Sequence, residues 1–207
     1  RVIDSLTALQ KSVQLAPQNA EAHSNLGVTL QELGRLDEAV ASYTQAITLK
    51  SDYAEAYFNL GNTLKGLGRL DEAVASYTQA TALKPDYTDA HTNLGNTFKE
   101  LGRLDEVVAS YTQSIALKPD YEVHTNLGNA LKELGRLDEA VASYTQSIVL
   151  KPNYEARTNL GNALGELGRL DEAVASYTQA IALKPDSAGA HSNLGNTLRE
   201  LGRLDEA

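Results

Sequence analysis

The seven-residue string Leu-Gly-Arg-Leu-Asp-Glu-Ala begins at Leu33, Leu67, Leu134, Leu167 and Leu201, and appears once more from Leu101 with Val107 as its last residue. Successive starts lie 33 or 34 residues apart. This period constrains the fold more than any other property of the chain. A unit so short cannot bury its own apolar face, so it has to stack on its neighbours. Two other marks keep the same phase. Ser-Tyr-Thr-Gln recurs from Ser42, Ser76, Ser110, Ser143 and Ser176; prolines stand at Pro17, Pro85, Pro119, Pro152 and Pro185, with Ser51 replacing one.

The unit at 124–152 reads as two helices. Leu127, Leu131 and Leu134 fall at i, i+4 and i+7, the apolar stripe of a first helix. Gly135 occupies the position where a helix C-terminus needs a left-handed residue. Asp138 and Glu139 open the second helix, where carboxylates face the positive end of its dipole. Leu137, Ala140, Val141, Tyr144, Ser147 and Ile148 give that helix a wide, mostly apolar stripe, and Pro152 stops it.

With Leu127, Gly128, Leu131, Ala140, Tyr144 and Pro152 in place, the unit resembles a tetratricopeptide repeat. The small residue near the end of the second helix is Ser147 here and Ala46, Ala80 and Ala180 elsewhere. The wording is also similar to the repeat arm of O-linked N-acetylglucosamine transferases and to bacterial tetratricopeptide proteins. The resemblance implies an all-α, right-handed superhelical solenoid of helix-turn-helix repeats, with first helices lining the concave side. One solenoid over 1–207 is expected: a partial repeat at 1–19, full repeats at 20–53, 54–87, 88–121, 122–154 and 155–187, and a partial repeat at 188–207. The aromatic usual early in the first helix is His23, His91, His124 or His191 here, with Tyr57 and Arg157 at the other two positions. Two units are one residue short just after Tyr121 and Tyr154.

Composition narrows the function. The net charge of -9 disfavours nucleic acid or an anionic membrane as partner. No stretch has the apolar length of a membrane span, so no membrane insertion is expected. The absence of Cys removes disulfides, thiolate nucleophiles and Cys-based metal sites. The histidines are a repeat apart, and packed helix layers about 10 Å apart cannot give one metal two rings. The Asp-Glu pairs recur in every unit as solvated carboxylates near a helix start. No nucleophile and base come together, so no catalytic residue, metal or cofactor is expected, and no enzyme. Nothing in the sequence fixes a compartment.

Two asparagines three residues apart mark each first helix, as in Asn126-Leu-Gly-Asn129. On a helical wheel both lie away from the leucine stripe, Asn129 almost opposite it, with Glu133 between them and Thr125 and Lys132 beside them. Stacking aligns one row of Asn25, Asn59, Asn93, Asn126, Asn159 and Asn193 and a second of Asn62, Asn96, Asn129, Asn162 and Asn196. A primary amide both donates and accepts, so such rows can pair with a peptide backbone whatever its side chains. Relatives with asparagine at the first position bind extended peptide backbone there, and the resemblance implies the same here. The alternative is that the amides bond only locally or between adjacent repeats. Lys65, Lys99, Lys132 and Arg199 share one position of the same face, Gly165 interrupts them, and Glu100, Glu133, Glu166 and Glu200 follow; this mixture does not resemble a carboxylate clamp.

The expected partner is therefore a protein or peptide in extended conformation, and the expected role a non-catalytic scaffold. Two other roles stay open at this point. Uncapped ends at Arg1 and Ala207 suit head-to-tail stacking of copies into a fibre. The repeats also suit the substrate-selecting arm of a larger enzyme such as a glycosyltransferase.

Overall fold

A computed structural model describes the backbone of residues 2–203 and the side chains of 5–203. Arg1 and residues 204–207, on which the expectation of uncapped ends rests, lie outside that range. The described residues form twelve α-helices and no strand: α1 Val2–Leu15, α2 Ala20–Glu32, α3 Leu36–Leu49, α4 Ala54–Gly66, α5 Leu70–Leu83, α6 Thr88–Glu100, α7 Leu104–Leu117, α8 Tyr121–Glu133, α9 Leu137–Leu150, α10 Tyr154–Glu166, α11 Leu170–Leu183 and α12 Ala188–Glu200. The architecture is an all-α solenoid, and the chain divides into two compact units, Arg1–Arg103 and Leu104–Ala207.

Within a unit each first helix packs on its own second helix and on the second helix before it. In the first unit α4 lies against α3 and α5 and also touches α2 and α6, the neighbouring first helices. In the second, α10 lies against α9 and α11 and touches α8 and α12. The first helices thus form one continuous layer in each unit, with the second helices behind it.

Glycine does two separate jobs in this packing. Gly34, Gly68, Gly102, Gly135, Gly168 and Gly202 have φ between 70° and 73°, the left-handed region that ends a helix. Around Gly34 the amide of Arg35 bonds the Leu30 carbonyl at 2.9 Å and the Gly34 amide bonds Gln31 at 3.0 Å, so the turn meets the orphan carbonyls itself. The glycine of the Leu-Gly pair serves space instead. A Cβ on Gly128 would sit 2.6 Å from Cε1 of Tyr144, and the equivalent distances are 2.7 Å at Gly27 and Gly61 and 2.5 Å at Gly161. Each tyrosine ring lies flat on the backbone of its own first helix, and Tyr43, Tyr77 and Tyr144 are wholly buried there.

The missing residue in the two short units is made up in the loop. α6, α8, α10 and α12 all have 13 residues. Where the loop is full length, Tyr87 precedes the helix; where it is short, Tyr121 and Tyr154 become the first helical residue. The residue before then takes over as the cap. Asp120 accepts from the amides of Glu122 at 2.8 Å and Val123 at 3.0 Å, and Asn153 accepts from Ala156 at 2.7 Å. Ser147 holds this arrangement: its hydroxyl donates to the Tyr121 carbonyl at 2.8 Å and accepts from Asn153 Nδ2 at 3.2 Å. The short loop also strands a histidine. His23, His91 and His191 each bond the carbonyl of the proline six residues earlier, at 3.0 Å. Those bonds run through Nε2; His124 follows Pro119 by five residues and makes no such bond among the described residues, and its other ring nitrogen, the buried Nδ1, has no partner there either. Burial lowers the His124 pKa, against an opposing pull from Asp120.

Replacing Gly128 by Ala forces the Tyr144 ring off its seat and is expected to destabilise the fold by about 1–3 kcal/mol, the usual penalty for overpacking. Gly165→Ala, where a Cβ meets nothing within 4 Å, should instead gain up to about 1 kcal/mol of helix propensity. Urea unfolding of the two variants, followed by helical circular dichroism, checks the opposite signs.

Candidate functional site

The tyrosine that fills the glycine notch also orients the amides. Tyr77 donates its hydroxyl to Asn62 Oδ1 at 2.7 Å, and Asn93 Nδ2, on the next first helix, donates to the same oxygen at 2.8 Å. The second unit repeats this twice. Asn129 Oδ1 accepts from Tyr144 at 2.8 Å and Asn159 Nδ2 at 2.9 Å; Asn162 Oδ1 accepts from Tyr177 at 2.8 Å and Asn193 Nδ2 at 3.0 Å. The two rows foreseen from sequence are therefore joined, one member of each at every such junction. Local bonding and a binding face are not alternatives here, because an amide has more bonding capacity than the junction uses.

Two donors on one oxygen fix which way each amide is turned. At Asn62, Asn129 and Asn162 the carbonyl is committed and Nδ2 has no partner among the described residues. At Asn93, Asn159 and Asn193 Nδ2 is committed and Oδ1 is left without one. Each junction thus keeps one unmet donor and one unmet acceptor, the complement of a peptide C=O and N–H. All six residues are half-buried, which makes their groups costly to leave unmet and rewarding to meet.

The remaining candidates differ. At the first junction Val28 replaces the asparagine, so Gln31 one turn later accepts from Tyr43 at 3.2 Å and from Thr63 at 3.2 Å. Asn25 is exposed and Asn59 half-buried, and neither side chain is bonded among the described residues. Asn196 Oδ1 accepts from Arg199 at 2.8 Å. Asn96 is half-buried. Asn126 lines a 460 Å³ pocket with Tyr121, Thr125, Asn153 and Tyr154. A larger pocket of 680 Å³, around Pro17, Asn19, Lys50 and Tyr53, contains none of the candidate amides. Thr125, beside the asparagines on the wheel, is not part of an open face. It is buried, 2.7 Å from Ser147 Oγ, because the first helix is covered by its own second helix on that side.

Charge along the layer is mixed and paired. Lys65 Nζ lies 3.0 Å from Glu100 and Lys132 Nζ 3.2 Å from Glu166, each pair linking adjacent first helices. At the second-helix starts the Asp-Glu carboxylates are held by arginine. Arg136 binds Glu139 through Nε and Nη2, both at 2.7 Å, and Arg35, Arg69 and Arg169 bind Glu38, Glu72 and Glu172 in the same way. These bonds lower the glutamate pKa values. Among the described residues no three His, Asp or Glu side chains gather to hold a metal. No described helix is long and apolar enough to cross a membrane.

A family model described as TPR repeat matches residues 30–68, 64–102, 128–168 and 161–202, and models described as tetratricopeptide repeat match 8–41 and 88–121. No curated protein matches. Among solved structures, YrrB, a TPR protein with an unusual peptide-binding site, is 24% identical with a TM-score of 0.80, covering 89% of this chain and 96% of that one. MamA is 27% identical with a TM-score of 0.68, covering 71% and 86%. A MamA fragment from Desulfovibrio magneticus RS-1 is 18% identical with a TM-score of 0.70, covering 82% and 97%.

Burial pushes the Tyr177 phenol up to about 12, with a smaller contribution from Glu166, and raises Tyr77 and Tyr144 as well. In the unfolded chain a tyrosine ionises near pH 10. Folding therefore favours the neutral phenol, and its stabilisation is complete below pH 10 and lost as pH rises towards 12. The urea midpoint is expected to fall across that window, and Tyr177→Phe to fall less steeply than the parent.

Proposed function

The chain belongs to the tetratricopeptide repeat family, and we propose that this interaction scaffold holds its partner by the main chain, as an extended segment paired with the first-helix amides. The observation that carries this reading is the unmet donor and acceptor left at the Asn62–Asn93, Asn129–Asn159 and Asn162–Asn193 junctions. Asn25, Asn59, Asn96, Asn126 and Asn196 extend the same rows within their own units. Similarity in fold to YrrB, a TPR protein with a peptide-binding site, agrees with it.

Because the contacts go to backbone groups, the ligand's side chains set specificity only where the layer departs from its repeat. Spacing is also compatible. Adjacent packed helices lie about 8–10 Å apart, and three residues of extended chain span about 10 Å. One junction therefore meets one peptide group in roughly every three residues.

Replacing Asn93, Asn126 and Asn159 together by Ala tests the reading against a randomised library of displayed dodecapeptides. Affinity for the selected peptides is expected to fall at least tenfold while the helical circular dichroism is retained. The lost junction bonds at Asn93 and Asn159 should each lower stability by about 0.5–1.5 kcal/mol. Thr145→Ala, on the exposed face of a second helix, is the control and should bind like the parent. Undiminished affinity in the triple variant would sink the backbone-pairing reading.

A further inference from the structure

One position of the first-helix layer carries a lysine or arginine in four repeats: Lys65, Lys99, Lys132 and Arg199. Lys65 and Lys132 reach forward to a glutamate of the next first helix, Glu100 and Glu166. In α10 that position is Gly165. Glu200 stands 35 residues after Gly165, the same step that separates Lys65 from Glu100. Among the described residues Glu200 has no ion-pair partner, so the chain of pairs is broken at this junction in both volume and charge.

The break is a pocket. A Cβ on Gly165 would meet nothing within 4 Å. The space beside it measures 280 Å³ and is lined by Lys132, Asn162, Glu166, Tyr177, Asn193, Asn196 and Thr197 as well as Gly165. Its one lining cation, Lys132, is already engaged by Glu166, and Arg199 outside the lining is held by Asn196 Oδ1. The unmet acceptors at this junction are the unbonded Oδ1 of Asn193, which lines the gap, and the carboxylate of Glu200, which stands at the sequence position that takes the lysine in the Lys65 repeat. An ammonium or guanidinium on a methylene stem meets each of these needs. An anion would face the Glu166 carboxylate, and an apolar side chain would leave Asn193 Oδ1 unmet.

We propose that the Gly165 gap binds a lysine or arginine side chain of the captured segment, the ligand supplying the cation that four other first helices supply themselves. The proposal rests on the peptide reading above only for where that side chain comes from. Its test needs no peptide. The full chain is titrated with n-butylammonium chloride, and the side-chain amide signals of Asn162, Asn193 and Asn196 are followed by NMR against sodium chloride at matched ionic strength. The parent is expected to show saturable shifts at these three residues, at least fivefold larger than those given by butyramide or sodium butyrate. Gly165→Lys, whose own side chain enters the gap, should abolish them, and Glu200→Gln should weaken binding at least threefold. Shifts no larger than the salt control, an equal response to butyramide or butyrate, or a full response in Gly165→Lys would each overturn the proposal. A failure of the triple asparagine variant to alter peptide binding leaves this titration untouched, so the two readings fall separately.

Discussion

A tyrosine ring lying where glycine has no side chain locks the two helices of a repeat together, and the other contacts follow from it. The buried ring contributes on the order of 1.5–3 kcal/mol by leaving water. A phenol so placed needs a partner for its hydroxyl, because an unmet buried donor costs about 1–3 kcal/mol. At Tyr77, Tyr144 and Tyr177 the partner is an asparagine fifteen residues earlier, and the same asparagine oxygen draws in the next repeat through a second amide. One side chain thereby couples the fold within a repeat to the register between repeats. The first junction shows that the need is real: with Val28 in the usual place, Gln31 brings an amide oxygen to Tyr43 from the next turn of the helix.

The short loops follow a similar logic of paired changes. Ser114 and Ser147 stand in the two second helices that precede a shortened loop, and Ala46, Ala80 and Ala180 precede full-length ones, although Ser12 of α1 also precedes a full-length loop. The shorter loop after α9 brings its cap residue, Asn153, over the end of that second helix, where the Tyr121 carbonyl at the start of α8 also lies. At Ser147 the hydroxyl meets both, through Asn153 and Tyr121. Alanine is sufficient where the longer loop carries the chain past this point. The loss of a proline carbonyl for His124 is the part of the exchange that goes uncompensated.

Much of this was legible in the sequence, for reasons that can be named. The 34-residue period, the leucine stripe and Gly135 together specify two helices and a left-handed turn, and all three are local patterns. The asparagine rows were legible as alignment, since repetition alone puts Asn129, Asn162 and Asn196 at equivalent places. Their orientation was not. It depends on Tyr144 reaching Asn129 across an antiparallel helix pair, a contact set by packing and invisible to a single-helix wheel. The same wheel put Thr125 beside the asparagines without showing its burial, because it cannot show that a helix in a stack is covered on more than one side.

Repetition also limits what a ladder of amides can specify. If every junction offered the same donor and acceptor, a bound chain could shift by one repeat at no cost, so affinity would come without register. Register requires a junction unlike the others, and a preference of 1.4 kcal/mol there is enough for a tenfold bias towards one placement. Gly165 is such a junction, since it removes a cation and opens space in a face that is otherwise periodic. The first junction, where a bond from Thr63 to Gln31 does what two asparagines do elsewhere, is another. In an array this uniform, recognition resides in the departures from the consensus, while the consensus residues keep the surface rigid enough for those departures to be read.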